Sequence, residues 1–513
     1  MLIKCLMLTV FFAVMIGIGL YCRSHAADVK GFVLGGRSVG PWLTAFAYGT
    51  SYFSAVIFVG YAGQFGWKYG IASTWIGIGN ALIGSMLAWI VLGRRTRIMS
   101  QYLDSATMPE FFGQRFQSRP LKIGASLIIF LFLIPYTASL YNGLSRLFSM
   151  AFSIDYTICI VLMAVFTGIY VIAGGYMATA INDFIQGIIM LIGIAAVIAA
   201  VLCSKGGFMN ALQDLAAVED ASVSSSPGVF ASFFGPDPLS LLSVILLTSL
   251  GTWGLPQMVQ KFYAIRSETA IQTGMIVSTV FALIVAGGCY FLGGFGRLFS
   301  ESIDVAVNGY DSIIPTMLSD LPDVLIALVI ILVLSASMST LSSLVIASSS
   351  TLTIDVIKDN IVADMNEKKQ LTCIRFLIVV FIAVSVVIAI IQYKGNLSFI
   401  AQLMGISWGA LAGSFLAPFL FALYWRKTSL AACWTCFLFG SGVMIANMLF
   451  PQLFPPLLQS PINAGAFVML AGFVIVPVVS LLTPKPDPIF IRHAFACYEK
   501  KVEAAQKLTL GGK

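Results

Sequence analysis

Two kinds of oxygen in this chain are placed to do chemistry in an apolar setting. The first are hydroxyls, concentrated in Leu334-Ser335-Ala336-Ser337-Met338-Ser339-Thr340-Leu341-Ser342-Ser343, where five serines fall within nine residues. At helical spacing Ala336, Ser339, Thr340 and Ser343 share one face, with Ser342 on its edge. The second are main-chain carbonyls, released wherever a helix breaks. Ala47-Tyr48-Gly49-Thr50-Ser51 and Ser249-Leu250-Gly251-Thr252-Trp253-Gly254-Leu255-Pro256 each interrupt an apolar segment of bilayer-crossing length. Freed carbonyls are costly in hydrocarbon, so such breaks persist only where protein or a water-filled cavity meets them. Hydroxyls and carbonyls together suit a hard cation with a preference for oxygen, as sodium has. The carbonyls of Thr50 and Phe53 are the expected partners of the hydroxyl face. The same serines would also serve close helix packing or back-bonding to carbonyls.

Asp183 is the other outlier, within Gly174-Gly175-Tyr176-Met177-Ala178-Thr179-Ala180-Ile181-Asn182-Asp183-Phe184-Ile185-Gln186. An ionisable side chain inside a spanning segment is a functional hypothesis by default. Beside Ser342 and Ser343 it would neutralise a second cation; as an interfacial carboxylate near a helix start it would do less. The matched breaks carry the wider inference. Interrupted segments in corresponding halves point to the binding site of a secondary transporter.

The elements that hold these groups are spans. The chain has 513 residues, 59% hydrophobic and 10% charged, against roughly 25% charged in a soluble domain. Thirteen apolar segments are expected, near 2–21, 42–66, 70–92, 121–150, 154–173, 177–203, 239–262, 269–293, 324–351, 371–393, 398–424, 429–450 and 463–483. About 20 helical residues cross a hydrocarbon core of about 30 Å. The net charge of +7 is a matter of topology and not of nucleic acid. Arg94, Arg95, Arg97, Arg115 and Arg119 crowd one connector, whereas 204–238 and 294–323 are acid-rich. Alternate loops then put the N-terminus outside and the C-terminus in the cytoplasm. The first segment is expected to be a retained helix despite a signal-peptide-like Ser24-His25-Ala26. The nine cysteines read as small hydrophobes, Cys433 and Cys436 included.

Segments two to six (42–203) and seven to eleven (239–424) are of similar length, and each set opens on a broken helix. Five is odd, so the second set enters from the opposite side and an inverted repeat follows. Residues 1–41 (first helix and loop) and the two helices of 429–483 are peripheral to it. The tail 484–513 is cytoplasmic, its Lys/Glu mixture (Glu499, Lys500, Lys501, Glu503, Lys507) a solvated helix, and 1–513 forms a single transmembrane domain.

The chain resembles the sodium/solute symporter family, and its proline/pantothenate branch in particular. The resemblance rests on Phe32-Val33-Leu34-Gly35-Gly36-Arg37, Thr107-Met108-Pro109-Glu110-Phe111-Phe112, Gly174-Gly175 through Asp183 and Gln186, and Met338-Ser339-Thr340-Leu341-Ser342. It implies an all-α polytopic membrane protein with a LeuT-like five-plus-five inverted-repeat core and an added N-terminal helix. It further implies a primary sodium site made of the Thr50, Phe53 and Ala336 carbonyls and the Ser339 and Thr340 hydroxyls. Some members hold a further sodium on an aspartate and a second serine pair, a pattern that Asp183, Ser342 and Ser343 fit.

The solute is less sharply marked. Ser54-Ala55-Val56-Ile57 should face the cavity and is nearly apolar, which disfavours a hexose. Gly254-Leu255-Pro256-Gln257 resembles the second broken helix of proline and pantothenate carriers, and Tyr136-Thr137-Ala138-Ser139 a cavity wall of the proline branch. Proline carriers have an acidic residue where this chain has Tyr52. Ser54, Ile57, Tyr136, Trp253, Pro256 and Gln257 are the cavity candidates, and Trp253 and Trp408 are placed to close over a solute. The expectation is sodium-driven import of proline or a related amino or carboxylic acid at the plasma membrane. Pantothenate or monocarboxylate uptake, and proton coupling through Asp183, are the alternatives; a channel or membrane sensor is more distant. Sodium is the coupling ion, and no organic cofactor, catalytic residue or other metal is expected. Lipid is the surrounding partner, and the chain is a monomer or weak homo-oligomer.

Overall fold

The computed structural model describes residues 2–498, apart from 153, 225, 306–308, 359–360, 363–364 and 396–399. Helices dominate it. After α1 (Leu2–Tyr21) and a connection that contains the short helix Val29–Leu34, Pro41 opens α2 (Pro41–Tyr52). Proline suits a first helical position, where its missing N–H would have had no partner. Then come α3 (Val56–Tyr102), α4 (Met108–Phe116), α5 (Arg119–Phe152) and α6 (Tyr156–Ser204). The second half runs through α7 (Pro238–Leu250), α8 (Pro256–Ala264), α9 (Thr269–Gly293), α10 (Asp323–Ile357), α11 (Glu367–Lys394) and α12 (Ile400–Tyr424). Two further helices, α13 (Leu430–Leu449) and α14 (Pro461–Leu482), pack on α12.

The expected count of thirteen spans is not reproduced. Among the described residues ten helices are long and apolar enough to cross a membrane, or eleven if the bent pair α7 and α8 is one span. The shortfall lies in α3 and α6, which run for 47 and 49 residues. At about 1.5 Å per residue each is more than twice a bilayer core in length. Both are interrupted internally by a glycine of positive φ, Gly70 at +61° and Gly175 at +58°. Gly175 also has no room for a side chain, since a Cβ there would lie 2.9 Å from the Phe32 ring and 3.0 Å from its carbonyl oxygen.

Burial orders the bundle from inside out. The most apolar windows of α10 and α12 are 83% and 89% buried, against 17% for α1. A helix that is apolar all round belongs in a protein core or in lipid, and these two are the core. Ile3, Leu6 and Val10 of α1 remain exposed, as a lipid-facing surface requires.

Glycine makes a seam between α3 and α9. A Cβ on Gly66 would fall 2.0 Å from the Gly293 carbonyl oxygen, and one on Gly293 would fall 2.1 Å from that of Ala62. Farther along, a Cβ on Gly77 would lie 2.3 Å from Gly287 Cα. Small residues let helix backbones approach where no hydrophobic drive exists between helices in lipid.

Polar residues tie the ends. Thr107 caps the start of α4, accepting from Glu110 N at 3.1 Å, while the Glu110 carboxylate reaches back to accept from Ala106 N at 2.7 Å. The Thr107 hydroxyl also donates to Asp355 at 2.6 Å, and Lys122 sits 3.3 Å from the same carboxylate, joining α4, α5 and the end of α10. Arg37 donates to the Ser105 carbonyl at 2.7 Å and the Tyr263 carbonyl at 3.0 Å. Burial lowers its guanidinium pKa, opposed by Tyr263, Asp104 and Glu110. At the other end Arg297 donates to the Trp67 carbonyl at 2.6 Å, pairs with Asp220 at 2.9 Å and lies 3.8 Å over the Phe230 ring.

The described part of the tail packs on the bundle. Ile491, Ala494, Phe495 and Cys497 are buried, and the Tyr498 hydroxyl donates to the Arg95 carbonyl at 3.3 Å. Residues 499–513, where the solvated Lys/Glu segment was expected, lie outside the described residues.

Candidate functional site

The first break falls later than glycine content suggests. Gly49 is helical, and its lack of a side chain serves packing: a Cβ there would be 2.5 Å from Cδ1 of Phe281. The helix ends at Tyr52, and Phe53 is extended with ψ of 132°. The Ala55 N–H turns away to the Ser337 hydroxyl at 3.0 Å. The last carbonyls of a helix have no intrahelical donor, and here they point at α10.

One hydroxyl gathers them. Thr340 Oγ1 lies 3.4 Å from the Thr50 carbonyl, 3.3 Å from that of Ser51, 3.1 Å from that of Phe53 and 3.1 Å from that of Ala336. Beside it the Ser339 hydroxyl donates to Thr50 Oγ1 at 2.8 Å. Thr50, Ser339 and Thr340 are fully buried. A hydroxyl has a single proton, so it serves one of those four carbonyls at a time. The carbonyls of Thr50, Ser51 and Phe53, at the end of α2, exceed what that one proton can serve. Such a cluster of neutral oxygens is suited to a small hard cation, and its donor set fits sodium. The structure thus brings together all five residues of the expected primary site, and adds the Ser51 carbonyl.

Asp183 and Ser343 also meet, but around a residue that sequence reasoning missed. Lys261 of α8 places its Nζ 3.0 Å from Ser343 Oγ and 3.9 Å from Asp183 Oδ2. Both charged side chains are 1% exposed. The Tyr176 ring lies under the ammonium at 5.0 Å. Tyr176 and Asp183 are seven residues apart, two turns along α6, and the kink at Gly175 sets that face towards α8. Ser343 Oγ is in turn 2.9 Å from Ser51 Oγ, at the end of α2. Ser342 is turned elsewhere, donating to the Ser339 carbonyl at 2.8 Å. The signal for Lys261 was available: an ionisable residue inside an apolar segment, by the same rule that singled out Asp183.

The second break is at Leu255, extended with ψ of 124°, and Pro256 restarts the helix. A residue before proline avoids the helical region. The two helices meet at a 48° bend. Gly254 lets the break press on α12, since a Cβ there would lie 2.8 Å from Ala412 Cα.

Between the breaks lies a group of buried aromatic and polar side chains. The Trp408 ring is 5.8 Å from that of Tyr52 and 5.9 Å from that of Tyr136. The hydroxyls of Tyr52, Ser54 and Tyr136, the Trp408 indole nitrogen and both amide atoms of Gln257 have no hydrogen-bond partner among the described residues. Buried polar groups are normally paired, so this group offers hydrogen bonds to the polar end of a solute. Ile57 and Pro256 are buried. Trp253 differs, because its indole N–H already donates to the Ile83 carbonyl at 3.0 Å. Cys433 and Cys436 are buried free thiols, with the Cys436 thiol 3.2 Å from the Gly413 carbonyl. No group of three His, Cys, Asp or Glu suited to a metal occurs among the described residues.

Comparison with known proteins bears on the family and the fold. The sodium:solute symporter family model matches residues 32–440. A sodium/proline symporter of Staphylococcus aureus is 29% identical over 495 residues, covering 94% of this chain and 93% of the relative. Among solved structures, a sodium-coupled sialic acid symporter superposes with a TM-score of 0.71 at 15% identity, covering 94% of this chain and 99% of that one. A manganese transporter of Eremococcus coleocola gives a TM-score of 0.52 at 14% identity, over 91% and 96% of the two chains. The fold is therefore that of the LeuT-like transporters, and the chain belongs to the sodium:solute symporter family.

Proposed function

We propose that this chain imports a small, largely apolar organic solute together with sodium across the plasma membrane, proline or a related amino or carboxylic acid being the first candidate. The convergence of four carbonyls on Thr340 Oγ1 carries the proposal. In it Thr50, Phe53, Ala336, Ser339 and Thr340 hold the driving sodium, and Asp183, Ser342 and Ser343 take part in coupling. Ser54, Ile57, Tyr136, Pro256 and Gln257 face the solute, with Tyr52 and Trp408 beside them and Trp253 at the rim. A solute carboxylate would be met by hydroxyls and the start of α8, since a helix N-terminus favours negative charge. The sodium/proline symporters of Staphylococcus aureus support the choice of solute.

The N-terminus would lie outside and the C-terminus in the cytoplasm, in keeping with the basic end around Arg94 and Arg97. The two five-helix sets, 42–203 and 239–424, would provide alternating access by rocking one bundle against the other around the site. Moving one charge through 100 mV is worth about 2.3 kcal/mol, and a tenfold gradient adds about 1.4 kcal/mol. One sodium would thus sustain accumulation of a neutral solute by roughly 500-fold.

The test is uptake of labelled proline, pantothenate and short monocarboxylates into proteoliposomes under an imposed sodium or proton gradient. Sodium-driven uptake of one of them is expected. Uptake driven by protons in sodium-free buffer would overturn the sodium reading and favour Asp183 as a proton carrier. Sodium-driven uptake of a solute other than proline would correct the substrate alone.

A further inference from the structure

The carboxylate of Asp183 lies deep in the bundle, where an isolated charge is expensive and calls for a partner. The expected partner was a sodium ion, completed by Ser342 and Ser343. The geometry supplies a different cation. Lys261 Nζ is 3.9 Å from Asp183 Oδ2 and 3.0 Å from Ser343 Oγ, and both charged groups are sealed from solvent. The Tyr176 ring covers the ammonium at 5.0 Å. Ser342, the remaining ligand of the expected set, is engaged with the Ser339 carbonyl at 2.8 Å. A sodium bound to Asp183 and Ser343 would sit beside a positive charge that already donates to Ser343 Oγ and lies within 3.9 Å of Asp183 Oδ2. Like charges at such distances in a poorly screened interior repel strongly.

We propose that the Lys261 ammonium is the resident cation of the Asp183–Ser343 pocket, and that the chain therefore couples each solute to one sodium only. The inference rests on the sodium reading given above for Thr50, Phe53, Ala336, Ser339 and Thr340. It also gives Lys261 a positioning role. Its proton-donating contact with Ser343 continues at 2.9 Å to Ser51, whose carbonyl is 3.3 Å from Thr340 Oγ1. The tethered charge on α8 is thus linked through two hydroxyls to the end of α2. A tethered cation cannot leave with the solute, and it returns with the protein in every cycle.

The test counts ions without needing the solute. Radiolabelled sodium is bound at equilibrium to the purified full chain, with choline holding ionic strength constant. The wild type should bind one ion, and Lys261→Met two, because the freed carboxylate recruits the second. Lys261→Met combined with Asp183→Asn should return to one. Lys261→Arg should also bind one. Thermal unfolding gives an independent reading, since stabilisation per tenfold rise in sodium scales with the number of ions bound to the folded state; that slope should about double in Lys261→Met. Two ions in the wild type, or one in a folded Lys261→Met, would overturn the inference and leave sodium coupling intact. If Lys261→Met does not fold, the wild-type count decides by itself, one supporting and two overturning. A wild type that binds none overturns the sodium reading and this inference with it.

Discussion

Thr340→Val is the most direct perturbation of the sodium site. Valine keeps the branched shape and removes Oγ1, the atom that lies 3.1 to 3.4 Å from the carbonyls of Thr50, Ser51, Phe53 and Ala336. An interaction with a charged partner contributes about 1.5–3 kcal/mol. At about 1.4 kcal/mol per decade, half-saturating sodium should rise by about 10- to 150-fold. The same substitution leaves buried carbonyls without their donor, which costs about 1–3 kcal/mol irrespective of sodium. The two effects separate in one assay. Thermal unfolding in choline alone reads the second, and the sodium titration of each variant against its own sodium-free midpoint reads the first. Thr340→Ser, which retains the oxygen, should keep the wild-type sodium dependence. Ser339→Ala should weaken sodium in the same direction, because it removes the hydroxyl that faces Thr50 Oγ1 at 2.8 Å. Unchanged half-saturation in both Thr340→Val and Ser339→Ala would refute the assignment of this cluster to sodium.

Three further outcomes are expected. Asp183→Asn alone should destabilise the fold by about 3–5 kcal/mol, as breaking one side of a buried pair does; adding Lys261→Met should recover much of the loss, read by urea or thermal unfolding in detergent. Gly66→Ala should abolish a folded product in size-exclusion chromatography, because its Cβ would fall 2.0 Å from a main-chain oxygen, whereas Gly442→Ala, with nothing within 4 Å, should gain about 0.5–1 kcal/mol from helix propensity. The Asp220 carboxyl is held below its ordinary range by the Ser222 hydroxyl and then by Arg297. A depressed folded pKa stabilises above the unfolded value, so this contribution should be present at neutral pH and fade as pH falls through the carboxylate range. Asp220→Asn should flatten that part of the pH–stability curve.

The chemistry of the primary site was legible because two independent signals intersect there. Serines crowded into one apolar face, and a broken helix elsewhere, both ask for a partner, and each turned out to be the other's. The exact break was not legible. Gly49 advertises a helix end, yet its role is to admit Phe281, and the chain breaks at Phe53, where no residue type announces it. At the second break proline does announce the restart, and the expected interval contained the true one. Lys261 escaped because the sixth residue of a nine-residue helix looks like the edge of a span in one dimension. Only the 48° bend carries it back beneath Asp183. Helix number suffered from the opposite problem: α3 and α6 each run on across a single positive-φ glycine, Gly70 or Gly175, so two expected segments join into one long helix in each case. The solute group shows a third limit. Residue types near the breaks were readable, but that Trp408 stands between Tyr52 and Tyr136 depends on how α12 packs.

The glycine seam between α3 and α9 bears on how such a molecule can move. Most helix interfaces mesh side chains, and meshed side chains can settle in more than one register, which lets a packed interface act as a switch. Where Gly66 meets Gly293 and Gly77 meets Gly287 there are no side chains to re-mesh. Sliding would drive backbone into backbone, and separation would leave main chain facing main chain across a void. The segments of α3 on either side of Gly70 are each locked backbone to backbone against α9, which comes from the other half of the sequence. Whatever opens and closes the path to the sodium cluster must pivot along other lines of contact, and the division between moving bodies need not follow the division between repeats.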